Sequence, residues 1–200
     1  MVGCHRGMIE ACAFTAKDGF DSTTGPQAKG GSSGIVIRKS TFAGPIQRGV
    51  NIGGSTGLKY FRPPDRPTFE AKDITVEACE FRDGVVAPIA FVGVDGAVAR
   101  GNTIVRPGRF VFRILQETTE TGFIACRNGV IEKNAIVFRR ADVREPLNIG
   151  PNTDAKSFQF SGNRWYCEDE PARSKPNLPS LEADGTYGVR PKLSEQATHP

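Results

Sequence analysis

The 200-residue chain has two histidines, His5 and His199, each near one end of the sequence. This scarcity argues against a Ser-His-Asp triad and against a histidine-rich metal site. The chain also lacks an apolar run of about 18 residues, so we expect no membrane insertion. Its first residues do not resemble a signal peptide. The location stays open: extracellular or periplasmic if a full-length protein carries such a leader.

Five cysteines form no Cys-x-x-Cys pair, which argues against a zinc ribbon, and their odd number prevents complete pairing within one chain. The net charge is only +4, with lysines and arginines spread along the chain. Such spreading does not indicate nucleic-acid binding, but it suits an anionic ligand. A hydrophobic fraction of 38% excludes a disordered chain.

A short pattern occurs six times. Each copy has a turn residue, two or three apolar residues, two polar or small residues, then Cys, Ser or Asn, any residue, and a large apolar residue. The last residues of the copies are Phe14, Phe42, Phe81, Ile104, Ile136 and Trp165. The alternation has period 2 rather than 3.6, so each copy predicts short strands around a tight bend.

Stacked copies of this kind predict an all-β fold, a parallel β-helix of about six coils over residues 1–170. Residues 171–200 are rich in proline and predict an extended tail, which packs through Leu178, Leu181 and Tyr187 or stays loose at its end. Because Met1 lies within the first coil, we expect a piece of a longer solenoid that associates through this coil. A β-sandwich is the alternative fold.

Two rows of stacked residues follow from this register. A row of small polar residues is expected at an inward-facing bend, where asparagine side chains bond the neighbouring coil's backbone and tolerate the left-handed conformation: Cys12, Ser40, Cys79, Asn102, Asn134 and Asn163. A buried row is expected at Ile9, Ile37, Val76, Ala99, Ile131 and Phe160. Cys12 and Cys79 would lie two coils apart, roughly 10 Å, and are predicted to be unpaired core thiols. A bridge between Cys126 and Cys167 is left open.

Several segments resemble right-handed parallel β-helix proteins of the pectin-lyase-like superfamily. They include QAKGGSSGIVIRKSTF (27–42), VNIGGSTGLKYFRP (50–63), PIAFVGVDGAV (88–98) and NRWYCEDEP (163–171). At finer grain they resemble a bacterial group of β-helix repeat proteins without assigned activity. The resemblance covers about residues 4–170 and implies a right-handed coil and an acidic polysaccharide as partner.

The resemblance also implies a candidate catalytic set. Lys29 resembles the base of calcium-dependent β-helix lyases, which place an arginine on the next coil; here that strand has no arginine in the equivalent place, and Arg48 is displaced. Arg113 is expected to project from an apolar strand and grip a carboxylate, or to pair with Glu117 or Asp95. We therefore expect Lys29, Arg48 and Arg113 to be the catalytic residues if the protein is a lyase.

The substrate-binding candidates are polar or aromatic residues that lie in the second strand of a coil, beside that strand, or in the long loop 59–67: Asn51, Tyr60, Arg62, Gln116 and Asn148. Carboxylates that could ligate Ca²⁺ are Asp18, Asp21 and Asp95, although an Asp beside Gly is commonly a turn residue. The functional hypothesis is binding, with or without β-eliminative cleavage, of an acidic polysaccharide on the outer face around Lys29, Asn51 and Arg113. The alternative is a non-catalytic structural or carbohydrate-recognition solenoid.

Overall fold

A computed structural model describes residues 1–17, 19–20, 24–61 and 68–193. These residues form twenty short strands in three sheets, and all the strand pairs are parallel. The helical content described is three single 3₁₀ turns, Leu58–Tyr60, Ala155–Ser157 and Pro171–Arg173. No helix in the described ranges has the length and apolar character needed to cross a membrane.

The chain passes through the three sheets in turn, but the second coil gives two strands to the first sheet and the last two coils give none to the third. The first sheet has eight strands: β1 (Met8–Glu10), β4 (Ser32–Ser33), β5 (Val36–Arg38), β8 (Ala71–Glu77), β11 (Val94–Arg100), β14 (Arg127–Glu132), β17 (Gln159–Ser161) and β19 (Glu182–Ala183). The second has seven: β2 (Ala13–Thr15), β6 (Thr41–Ala43), β9 (Glu80–Arg82), β12 (Thr103–Val105), β15 (Ala135–Phe138), β18 (Arg164–Cys167) and β20 (Thr186–Tyr187). The third has five: β3 (Gln27–Ala28), β7 (Arg48–Gly53), β10 (Ala87–Val92), β13 (Phe112–Leu115) and β16 (Leu147–Ile149). This all-parallel arrangement confirms the β-helix, since a sandwich is built from antiparallel sheets.

The core lies between the three sheets and is built of stacked rows. The predicted buried row pairs in register from Ile9 to Ile37 and onward to Phe160. Every member is buried except Ile9, which is half-buried in the first coil. On the second sheet Phe14, Phe42 and Phe81 stack face to face, with ring centroids 4.8 and 4.6 Å apart. Identical side-chain positions on successive coils thus pack directly on one another.

Left-handed residues mark the bend between the first and second sheets. They precede the predicted bend row by one position, at Ala11, Lys39, Ala78, Gly101, Lys133 and Gly162, with φ from +49° to +61°. None of the six row residues itself has a positive φ. The preceding residue turns the chain, and the row residue then directs its side chain inward along the stack.

The asparagines of the bend row form a continuous hydrogen-bonded ladder. Asn134 Oδ1 accepts from the backbone N–H of Asn102 at 2.9 Å and from Asn102 Nδ2 at 3.0 Å. Asn134 Nδ2 donates to the Ala99 carbonyl at 3.0 Å and to Asn163 Oδ1 at 2.9 Å. Each amide thus joins three successive coils, as the sequence predicts.

A seventh coil follows the six recognised in the sequence. Strands β19 and β20 pair with β17 and β18, so part of the predicted tail belongs to the solenoid. Gly185 occupies the bend position at which the preceding coil has Asn163. The Glu182 carboxylate accepts hydrogen bonds from Asn163 Nδ2 and from the Tyr187 hydroxyl, at 2.6 and 2.7 Å. A Cβ on Gly185 would lie 2.6 Å from Glu182 Oε2, so only glycine leaves room for this contact. Burial and the Glu182 carboxylate raise the pKa of Tyr187 to about 12.

Of the remaining sequence predictions, which concern the tail and the cysteines, some are confirmed and others are wrong. Leu178 and Tyr187 pack against the core as predicted, but the prediction for Leu181 is wrong, because it is 99% exposed.

All the cysteines are free: Cys4, Cys12, Cys79, Cys126 and Cys167. The unpaired state of Cys12 and Cys79 is thus confirmed, but Cys12 is exposed rather than in the core, since it lies on the first coil. The bridge left open between Cys126 and Cys167 is not formed. Association through the first coil stays a prediction.

Candidate functional site

Arg113 lies on the outer face of the third sheet. Its neighbours Phe112 and Ile114 are fully buried in the core, so the alternation of β13 directs Arg113 outward, as expected. The side chain is only half-exposed. Next to it, on the same outer face, Ala90, Val92 and Leu115 form a small buried apolar cluster. A cation thus lies beside apolar surface, where an unpaired charge is costly.

The strand register shows which outer residues lie beside Arg113. Across the third sheet the aligned positions are Gln27, Asn51, Ala90, Arg113 and Asn148. Asn51 and Asn148 therefore lie in the predicted row, but Gln27 occupies the place expected for Lys29. Lys29 is two residues further along its segment, and its backbone lies three strand spacings, roughly 14 Å, across the sheet from that of Arg113. Lys29 therefore lies outside the aligned row, and contact of Lys29, Asn51 and Arg113 with one sugar unit stays a prediction.

Arg48 joins this row from the start of β7. Its Nη1 donates to Asn51 Oδ1 at 3.4 Å, and its Nη2 lies 3.8 Å from Glu117 Oε1. Asn51 is buried and donates from Nδ2 to the Gly53 carbonyl at 3.2 Å. Both polar ends of Asn51 are therefore engaged within the protein, and Asn51 serves to position Arg48.

The Arg113 guanidinium has a mixed environment. Its Nε donates to Asn148 Oδ1 at 3.0 Å, and the guanidinium carbon lies 5.1 Å from the centre of the Phe110 ring. Burial lowers the pKa of Arg113; the charges of Arg48 and Arg109 lower it too, whereas Glu117 raises it. Neither Glu117 nor Asp95 hydrogen-bonds it within the described ranges. A bound anion would offset both the burial and the repulsion between arginines.

Lys29 and Tyr60 meet in a separate cleft at the carboxyl ends of β3 and β7. The cleft has a volume of about 370 Å³ and is lined by Val2, Lys29, Ser55, Thr56, Gly57 and Tyr60. The structure thus brings together two sequence-predicted residues, a cation and an aromatic ring, but away from Arg113.

Gln116 has a structural role. Its Nε2 donates to the Thr118 carbonyl at 2.7 Å, and its Oε1 accepts from the Cys126 backbone N–H at 2.7 Å. Both ends of the amide thus fix the loop that follows β13. Gln116 also borders an open cleft of about 270 Å³ together with Glu120 and Phe123.

Of the calcium candidates, Asp95 lies on the first sheet, away from the Arg113 row. Its carboxylate accepts from Arg127 Nε and from Asn128 Nδ2, both at 2.9 Å. Arg127 and Asn128 lower the pKa of this carboxyl. Its oxygens are therefore held by donors rather than open to a cation. The described residues contain no group of three potential metal ligands; Asp18, Asp21 and the binding candidate Arg62 lie outside them.

Glu70 was missed by the sequence reasoning although it organises this region. It is fully buried, and its carboxylate accepts from the N–H groups of Gly30 and Thr56 and from the Thr118 hydroxyl, at 3.0, 2.8 and 2.7 Å. Three segments distant in sequence are thereby tied beneath the Lys29 cleft. No motif surrounds Glu70, and the only available signal was a charged residue directly before an apolar strand.

Comparison with known proteins gives no match to a family model, a curated protein or a solved structure. The geometry therefore carries the functional argument.

Proposed function

We propose that this protein binds an acidic polysaccharide on the outer face of the third sheet. The observation that supports this most directly is Arg113, whose half-buried guanidinium uses Nε on Asn148. In the described ranges its two terminal amino groups have no hydrogen-bond acceptor. Such a planar pair of donors matches a carboxylate bidentately.

The neighbours of Arg113 extend this surface. Arg48 supplies a second cation held by Asn51, and Arg109 lies over the Phe110 ring at 5.4 Å. The charges of Arg48 and Arg109 lower the pKa of Arg113, and three neighbouring guanidiniums favour a polyanion over a neutral chain. A polymer with one carboxylate per unit would meet several of them in succession.

Cleavage is the less supported part of the hypothesis. A β-eliminating enzyme needs a base beside the proton that is removed and a cation at the carboxylate of the same unit. The backbone of Lys29, the expected base, lies three strand spacings, roughly 14 Å, across the sheet from that of Arg113. We therefore propose a binding protein related in fold to the pectin-lyase-like superfamily, rather than a lyase.

Binding is tested by calorimetry of the 200-residue protein with polygalacturonate and alginate, with dextran as the neutral polymer. Arg113→Gln should weaken uronate binding roughly 10- to 100-fold, the loss expected for a charged hydrogen bond. Arg164→Gln, an exposed arginine on the second sheet, is the matched control and should change little. Added salt should weaken binding, because the attraction is between charges.

Equal losses for Arg113→Gln and Arg164→Gln would show nonspecific attraction and refute the proposed surface. Binding of dextran as tight as that of polygalacturonate would refute an acidic ligand. Ultraviolet absorbance of an unsaturated uronate product, followed with and without Ca²⁺, tests the lyase alternative separately. Its appearance would overturn the proposal of binding without cleavage.

A further inference from the structure

The outer face of the first sheet carries a strip of side chains that are not buried. In β8, β11 and β14 the residues Val76, Ala99 and Ile131 are buried in the core, so the alternate positions point outward. The strand register aligns these outward positions along the solenoid: Met8, Val36, Thr75, Val98, Val130 and Gln159. Each of them is half-exposed or exposed, and most are apolar. The sheet therefore offers a continuous, mostly apolar strip to a partner.

Charged rows border this strip on both sides, and their sign alternates from one coil to the next. On one side Lys72, Asp95 and Arg127 are aligned. Within one copy Arg100 Nη2 lies 2.7 Å from Glu77 Oε2, so neighbouring members of the other row pair with each other. That row is formed by Glu10, Arg38, Glu77, Arg100 and Glu132. Acidic and basic residues are equal in number in the two rows together, so these rows do not repel a second copy.

A row whose sign alternates is complementary to itself under one arrangement of two copies. A two-fold axis parallel to the strands, midway between β8 and β11, turns the two outer faces toward each other and lays β8 over β11 of the second copy. Because Glu77 aligns with Arg100, and Lys72 with Asp95, each acidic residue then faces a basic residue of the second copy. With the axis on β8 itself, Glu77 would face its own equivalent, and like charges would repel. The alternation therefore selects an axis between two coils.

We infer that two copies of this chain associate face to face through the first sheet, with their solenoid axes antiparallel. An axis between β8 and β11 lies at the middle of the strip, so it covers more strands than an axis between other coils. Six strands about 4.8 Å apart and five residues of about 3.3 Å each give a contact of roughly 29 Å by 17 Å. The contact covers about 500 Å² on each copy, and the total of about 1,000 Å² lies at the lower limit for a specific interface.

A contact of this size predicts a weak dimer, with a Kd on the order of 10 μM. The third sheet stays open in such a dimer, because the two copies meet through the first sheet alone. The inference therefore does not depend on polysaccharide binding, and Arg113→Gln should leave the dimer unchanged.

The test is sedimentation velocity of the 200-residue protein between about 1 and about 200 μM, a range that brackets the expected Kd. Glu77→Arg places arginines opposite each other, and Arg100→Glu places glutamates opposite each other. Each variant should therefore raise the Kd of the dimer about tenfold or more. Arg164→Glu changes an exposed arginine on the second sheet and is the matched control, for which the Kd should not change.

An equimolar mixture of Glu77→Arg and Arg100→Glu tests the register itself. In a mixed pair the new arginine of one copy faces the new glutamate of the other, and the unchanged Arg100 faces the unchanged Glu77. Association should therefore return in the mixture, although each variant alone is monomeric. Val98→Lys covers the case in which these variants do not fold; it leaves the ion pairs intact, places a charge in the apolar strip, and should also raise the Kd.

Three results would overturn the inference. The first is a protein that stays monomeric up to about 200 μM, well above the expected Kd. The second is a dimer that resists Glu77→Arg, Arg100→Glu and Val98→Lys, because its contact would then lie elsewhere, for example at the first coil. The third is a mixture of the two charge variants that associates no more than its components, because opposite charges would then not meet across the interface.

Discussion

Replacing Asn134 by alanine tests whether the asparagine ladder holds the coils together. The substitution removes the four side-chain hydrogen bonds of Asn134, with lengths of 2.9–3.0 Å, in a fully buried position. It also leaves the Asn102 backbone N–H without the acceptor that it has now. At about 1 kcal/mol for each hydrogen bond, and more for a buried group left unpaired, the expected loss is about 3–5 kcal/mol.

The measurement is urea unfolding followed by circular dichroism and by the fluorescence of Trp165, the single tryptophan, which is buried one coil away. Ser40→Ala is the control in the same row; it removes the acceptor of the Cys12 backbone N–H at the half-buried first bend and should cost about 1 kcal/mol. Asn134→Ser keeps an acceptor and should fall between the two, which covers the case in which the alanine variant does not fold. Equal losses for Asn134→Ala and Ser40→Ala would refute the energetic role of the ladder.

The remaining predictions concern the bends and the thiols. Ala78 and Gly101 lie at equivalent bends, with φ +50° and φ +60°. Ala78→Gly should therefore stabilise the fold by about 0.5–1 kcal/mol, and Gly101→Ala should destabilise it by about 1 kcal/mol. Changes of the opposite sign in the free energy of urea unfolding would contradict this explanation. Cys4 and Cys12 are exposed and should react with a thiol reagent in the native protein, whereas Cys126 should react only on unfolding, because burial raises its pKa to about 11. Rapid native modification of Cys126, detected by peptide mass spectrometry, would contradict its buried placement.

The core register could be predicted from the sequence because each copy carries its own local pattern. An apolar residue at Ile37 or Ile131 lies at a constant distance before its bend, so copies align without knowledge of the loops between them. The exact left-handed positions could not be predicted, because alanine and lysine, which adopt that conformation at four of the six bends, tolerate it less well than asparagine does. The seventh coil was missed because Gly185 and Glu182 replace the expected amide and apolar residue.

The candidate site could be predicted only in part, for a related reason. Strands of the third sheet follow loops of unequal length and have no bend residue to anchor them, so Lys29 was misaligned by two residues with Asn51. Arg113 was placed correctly because its apolar neighbours define the direction of its side chain. The role of Glu70 depends on contacts between distant segments, which no local pattern contains.

The asparagine ladder ends in the last described coil, and the way it ends affects how a solenoid of this kind can change its number of coils. Each asparagine amide passes a hydrogen bond to the following coil, so the ladder itself specifies no number of repeats. Gly185 has no side chain to pass such a bond on, and the Glu182 oxygens that fill its space already receive hydrogen bonds from Asn163, Trp165 and Tyr187. Duplication of an internal coil would therefore insert one more identical step, while the closing unit moves unchanged to the new end. Gain or loss of coils can thus lengthen or shorten the outer face of the third sheet independently of Gly185 and Glu182.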